Sequence, residues 1–241
     1  LQNRTTDQLE FRHQLIQEYY AAEHLLDLLP DLLKDKEKIK RDYLNLLKWT
    51  EAIVLTIGLL ENEDQVEQII NVSMEIDLRL MALLTGAVRH LFQKEMIKKI
   101  MSLDVQAWMM CELLTLTKLE DVIPNLVSFF EDKSPEIRAI AIECLGRLGF
   151  KAAVPDLLEA LQDENAFVRG MATTALGNLG FEDAVPGLIK SLEDEDTFVR
   201  DHAALSLGKI GTTDAIAGLN KAFYDGNAIA RRMALNALSI T

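Results

Sequence analysis

The stretch AVPDLLEALQDENAFVRGMATTALGNLGF, Ala153–Phe181, decides the fold because close copies of it flank it on both sides. VIPNLVSFFEDKSPEIRAIAIECLGRLGF precedes it from Val122, and AVPGLIKSLEDEDTFVRDHAALSLGKIGT follows from Ala184. A fourth version, AIAGLNKAFYDGNAIARRMALNALSIT, runs from Ala215. The copies keep a period of 31 residues, with proline at 124, 155 and 186. A fixed period of this length means one supersecondary unit stacked on copies of itself, so the stack must be read before any other feature.

Each unit reads as two antiparallel helices. Apolar residues such as Leu188, Ile189 and Leu192 make one stripe on the first helix, and the proline falls in its first turn, where the missing N–H is not needed. Ser134, Asn165, Asp196 and Asn227 share one position before the second helix, and all four are N-capping types. Val168, Ala172, Leu176 and Leu179 then form the buried stripe. Gly149, Gly180 and Gly211 stand where a left-handed turn ends that helix. Gly146, Gly177 and Gly208, with Ser239 in the last copy, mark close approaches between helices. The fold class is therefore all-α: a right-handed α-α superhelix of the HEAT-like or armadillo type, preceded by an irregular helical segment.

Two polar series keep the same period: Asp132, Asp163, Asp194 and Asp225, and Arg138, Arg169, Arg200 and Arg231. An aspartate in the last turn of a first helix opposes the helix dipole unless a cation answers it, and the arginine at the next helix start is equally misplaced alone. The two series predict a structural ladder in which Asp and Arg of the same or adjacent repeats pair along the array. A row of anion-binding arginines is the other reading.

Other positions change between copies. Ala139, Gly170, Asp201 and Arg232 occupy one; Glu143, Thr174, Leu205 and Asn236 the next; Arg147, Asn178 and Lys209 a third. Spaced by four, they share one face of the second helix. In a stacked array that face lines the concave side, where solenoids bind partners, although a merely solvated face would vary in the same way.

Composition sets outer limits. The net charge of −13 argues against nucleic acid, which needs a concentrated basic face, and favours a basic partner if any. No apolar run is long enough to span a bilayer, and no leader peptide is visible. Cys111 and Cys144 lie in apolar helical patterns and read as buried free thiols of a reducing, cytoplasmic compartment, with a disulfide between them as the alternative that no sequence feature supports. The chain starts at Leu1 rather than Met, which suggests a piece of something longer.

The units over 119–241 resemble the short HEAT-like repeats of phycobilisome lyases. Ankyrin and tetratricopeptide repeats are near in length, but their signature residues are absent. Upstream, LDVQAWMMCELLTLTK over 103–118 matches PEIRAIAIECLGRLGF at an offset of 32, with Gln106 in the arginine's place. QVEQIINVSMEI followed by DLRLMALLTGAV is a further helix pair, so degenerate repeats over 62–118 continue into the four repeats of 119–241. The charged KDKEKIKRD stretch reads as a solvated helix start or turn.

QLEFRHQLIQEYYAAEHLL, within the remaining segment 1–61, resembles the Phe-x-His…Gln-Glu-Tyr-x-Ala-Ala element that closes the NTPase module of NACHT proteins, signal-transducing P-loop ATPases. The resemblance implies a winged-helix and connector region, and it implies that His13 would contact ADP phosphates in an intact protein of that kind. Taken alone, His13 reads as a structural helix start.

Catalytic signatures do not appear. There is no GxxxxGK[ST] loop, no metal spacing among His13, His24, His90 and His202, and no recurring His-Glu pair of the kind that marks di-iron hydroxylases on HEAT-like scaffolds. The expectation is a non-enzymatic scaffold without a cofactor of its own, ATP or ADP belonging to the presumed full-length protein. It would be the sensor region of a NACHT-type signalling ATPase, binding a protein or other ligand on the concave face. A bilin lyase subunit is the alternative. Met233, Leu235 and Leu238 lack a polar capping repeat, so further repeats or self-association at that end are also expected.

Overall fold

The computed structural model describes the backbone of residues 6–46 and 49–224 and the side chains of 16–46 and 49–221. Among these residues every regular element is helical. The chain forms two compact units, 1–104 with 116–118, and 105–115 with 119–241.

The first unit holds α1 (Thr6–Leu32), α2 (Lys36–Ile39), α3 (Thr50–Leu59), α4 (Glu63–Met74), α5 (Leu78–Ala87) and α6 (His90–Met101). Polar residues set several starts: the side chains of Asp35, Asn62 and Asp77 accept N–H bonds from Lys38, Gln65 and Arg79. The buried stripe runs through Leu25, Leu29, Ile53, Ile57, Ile70, Met81, Leu84 and Ile100. The KDKEKIKRD stretch becomes α2 followed by a π turn, Lys40–Leu44. Lys40 anchors it by ion pairs to Glu37 at 2.9 Å and Glu75 at 2.6 Å. α4 and α5 form the helix pair foreseen over 65–88.

His13 departs from its sequence reading. α1 begins at Thr6, so His13 lies inside the helix rather than at its start; its side chain falls outside the described residues. The residues around it, Gln8 to Leu15, include no breaker, and nothing stops the helix from extending back.

In the second unit, most of α7 (Ala107–Leu116) joins the repeats. Each repeat opens with a single 3₁₀ turn and a short first helix: α8 (Ile123–Val127), α10 (Val154–Ala160) or α12 (Val185–Ser191), each with proline in its first turn. The second helices are longer: α9 (Pro135–Leu148), α11 (Ala166–Leu179) and α13 (Thr197–Ile210). α14 (Thr213–Tyr224) opens the next repeat.

Caps explain why these helices start and stop where they do. The side chains of Ser134, Asn165 and Asp196 accept N–H bonds from Ile137, Phe167 and Phe198. At the other end Gly149, Gly180 and Gly211 have φ of 81°, 71° and 65°, a left-handed turn that a Cβ would strain. The second helices pack side by side more extensively than the first helices do. Gly177 permits this: a Cβ there would stand 2.4 Å from Cβ of Ser206. Ser206 answers with an inter-repeat hydrogen bond, its Oγ donating to the Thr173 carbonyl at 2.7 Å.

Candidate functional site

The aspartate series is not in the last turn of the first helix. Asp163 and Asp194 lie in the loop beyond α10 and α12, and Asp132 follows a 3₁₀ turn with extended backbone, φ −66° and ψ 144°. The dipole argument therefore does not apply to them. Each instead closes its own loop: Oδ1 of Asp132, Asp163 and Asp194 accepts the N–H of Ser134, Asn165 and Asp196 at 2.8, 2.8 and 2.9 Å.

The arginines bridge consecutive loops. Arg138 gives a two-pronged pair to Asp163, Nε to Oδ2 and Nη2 to Oδ1, both at 2.8 Å. Its Nη1 donates to the Asp132 carbonyl of its own repeat at 2.9 Å. Arg169 repeats this one step on, to Asp194 at 2.8 and 2.9 Å and to the Asp163 carbonyl at 2.9 Å. Arg200 donates to the carbonyls of Asp194 and Glu195 and to the Thr197 hydroxyl. Asp225 and Arg231 lie outside the described residues.

Such fork-to-fork geometry orients as well as attracts. The side chains of Arg138 and Arg169 are 7% and 10% exposed, which places these pairs among buried rather than surface ion pairs. Burial alone would push the Asp163 and Asp194 carboxyls up. Hydrogen bonds from Arg138 and Arg169, together with the Asn165 and Asp196 amides, outweigh it and hold both below the ordinary carboxylate range. With their forks occupied, Arg138 and Arg169 have little left to offer a free anion.

The variable stripe divides along its length. Ala139 and Gly170 are buried and contribute no polar group. Glu143, Arg147, Asn178 and Lys209 are exposed, whereas Thr174, Asp201 and Leu205 are half-buried. Arg147 pairs with Glu112 of α7 at 2.7 Å, and Lys209 Nζ donates to Oδ1 of Asn178 at 3.0 Å. The Thr174 hydroxyl donates to the Gly170 carbonyl. Arg232 and Asn236 lie outside the described residues.

Sequence reasoning passed over three rings on this face. Phe167 and Phe198, in the first turns of α11 and α13, are 48% and 37% exposed and stack with centroids 6.0 Å apart. His202 lies against Phe198 at 4.0 Å. The signal was available: the same register position holds Glu136, Phe167, Phe198 and Ile229.

Other chemistry is sparse. Cys111 and Cys144 are buried free thiols, which burial pushes up to about 12 and about 11 respectively. Both are protonated at neutral pH and poor nucleophiles. Among the described residues no group of His, Cys, Asp and Glu is gathered as a metal ion would require. No described helix is long and apolar enough to cross a membrane.

A bihelical unit that repeats in sequence, and is bolted to its neighbour by one arginine per step, defines an α-helical repeat solenoid. The family model for HEAT repeats matches residues 101–172 and 154–239, more than half of the chain, and the chain belongs to the HEAT-repeat family. The solved structures similar to it include these three. One is an engineered protein, 17% identical, TM-score 0.41, covering 87% of this chain and 95% of its own. Another is YibA of Escherichia coli, 18% identical, TM-score 0.40, with coverage of 93% and 97%. The third is human deoxyhypusine hydroxylase with glycerol, 18% identical, TM-score 0.39, with coverage of 90% and 96%. No curated protein sequence matches the chain.

Proposed function

We propose that this chain is a non-catalytic scaffold that binds a protein partner on the face of its second helices. The observation that carries the reading is a division of labour within each repeat. The arginine–aspartate bridges and the caps recur with the period, while Glu143, Asn178, Asp201, Leu205 and Lys209 vary on a face the frame does not consume. A constant frame with a variable exposed face suits recognition of one partner.

Within that reading, the Phe11-x-His13 element and the Gln17–Ala22 run support a place as the ligand-sensing region of a NACHT-type signalling ATPase. Partner binding would act by favouring one state of that ATPase over another. The test is partner capture from the native cytoplasm by the intact polypeptide and by the variant Arg147→Glu/Asp201→Lys/Lys209→Glu. Loss of a specific partner from the folded variant is the expected result; retention of every partner overturns the proposal. Sequencing the same open reading frame for a P-loop motif upstream of Leu1 tests the ATPase assignment separately. Absorbance changes on mixing with a bilin and an apo-phycobiliprotein would instead favour the lyase reading.

A further inference from the structure

The ring shelf of Phe167, Phe198 and His202 identifies the kind of partner group this face takes. The repeat does not need aromatics there, because Glu136 holds the same register position in the preceding copy. The shelf is nonetheless fitted to the fold. Phe198 lies across the backbone of α11 at Gly170, where a Cβ would stand 2.1 Å from the ring carbon Cε1. Ala139 and Asp201 fill that position in neighbouring repeats, so the glycine makes room for this ring.

Charge decides what the shelf attracts. Glu164 and Glu195, three residues before each phenylalanine, have side chains 88% and 90% exposed, and Asp201 adjoins His202. Arg138 and Arg169 reach Glu164 and Glu195 only at 3.7 and 3.6 Å, with their forks already on Asp163 and Asp194, and Arg200 is turned to the carbonyls of Asp194 and Glu195. Lys209 lies eleven residues along the helix from Phe198, about 16 Å away. Exposed ring faces beside carboxylates that outnumber the local guanidiniums suit a cation, and guanidinium above all, because it can stack flat on a ring. A nucleic-acid base could stack as well, but its phosphates would meet the carboxylates. A second copy of this chain, net charge −13, would bring like charge against like.

The chain already contains this recognition unit. Elsewhere in the repeats the Lys151 ammonium sits 5.9 Å from the centre of the Phe181 ring while pairing with Asp183 at 2.6 Å. We propose that the Phe167–Phe198–His202 shelf, rimmed by Glu164 and Glu195, docks an arginine-bearing segment of a protein partner. This deepens the proposed function and rests on it.

The probe is a short labelled peptide of alternating arginine and glycine, compared by fluorescence polarisation with its lysine counterpart. The variant Phe167→Leu/Phe198→Leu keeps apolar bulk but removes the π faces. The arginine peptide should bind the wild type more tightly than the lysine peptide, and the variant should lose about fivefold or more in affinity at an unchanged melting temperature. Equal affinity for wild type and variant overturns the proposal, leaving only attraction to net charge. A dimer in light scattering that the variant abolishes also overturns it, in favour of a self-contact. If the leucine variant binds normally while the Arg147/Asp201/Lys209 variant still loses its partner, the shelf fails and the binding face stands.

Discussion

Asp194 serves two loops at once, and its removal shows what the ladder contributes. It accepts the Asp196 amide in its own loop and the Arg169 fork from the repeat before. Asp194→Asn would leave a guanidinium that is 10% exposed with only the solvent-exposed Glu195 carboxylate, 3.6 Å away, to answer it, and removing one partner of a buried pair costs about 3–5 kcal/mol. Urea denaturation should show a loss of about that size. The double variant Arg169→Met/Asp194→Leu should lose less than Asp194→Asn, because no uncompensated charge remains. The pair also predicts a pH dependence. Its carboxyl is lowered in the fold, so its contribution is full above the unfolded-state value of about 4 and disappears as pH falls through the folded one. Between pH 5 and pH 2, wild type should therefore lose stability more steeply than the double variant. The pairing was legible in the sequence because Asp and Arg travel together. Its geometry was not, since a loop carboxylate closing an Asx turn and one in a last helical turn have the same spacing.

At the scale of the helix, Gly177 within α11 and Gly180, which caps its C-terminus, act for different reasons. Gly177 faces Ser206, whose Cα would stand 2.8 Å from an added Cβ, so Gly177→Ala forces two second helices apart. Gly180 has nothing within 4 Å of its Cβ site, but its φ of 71° strains any side chain. Thermal denaturation should show Gly177→Ala costing about 1–3 kcal/mol through overpacking and Gly180→Ala about 1 kcal/mol through backbone strain. Ser206→Gly should partly rescue the first and leave the second untouched. Both glycines were readable from their recurrence, as were the caps and the prolines. The aromatic shelf was missed because a phenylalanine beside a core valine looks like core until the copies are aligned at that one position. α1 was misread at His13 because a resemblance to a known element supplied a boundary that the local residues do not enforce.

For the whole molecule, the period made the second unit legible, whereas the first unit carries no clean period and only the helix pair over 65–88 was read from it. The account's central claim is that frame and face are separate in the repeats. Among the residues described, Arg147–Glu112 and Lys209–Asn178 are the side-chain links that the face makes from one helix to another, and both are exposed, a setting in which such pairs are worth about 0–1 kcal/mol. The direct test compares urea unfolding of Arg147→Glu/Asp201→Lys/Lys209→Glu with that of Asp194→Asn. The face variant should stay within about 1 kcal/mol of wild type while Asp194→Asn falls by about 3–5 kcal/mol. A face variant that unfolds as readily as Asp194→Asn would contradict the account, because the residues assigned to recognition would then be holding the repeats together.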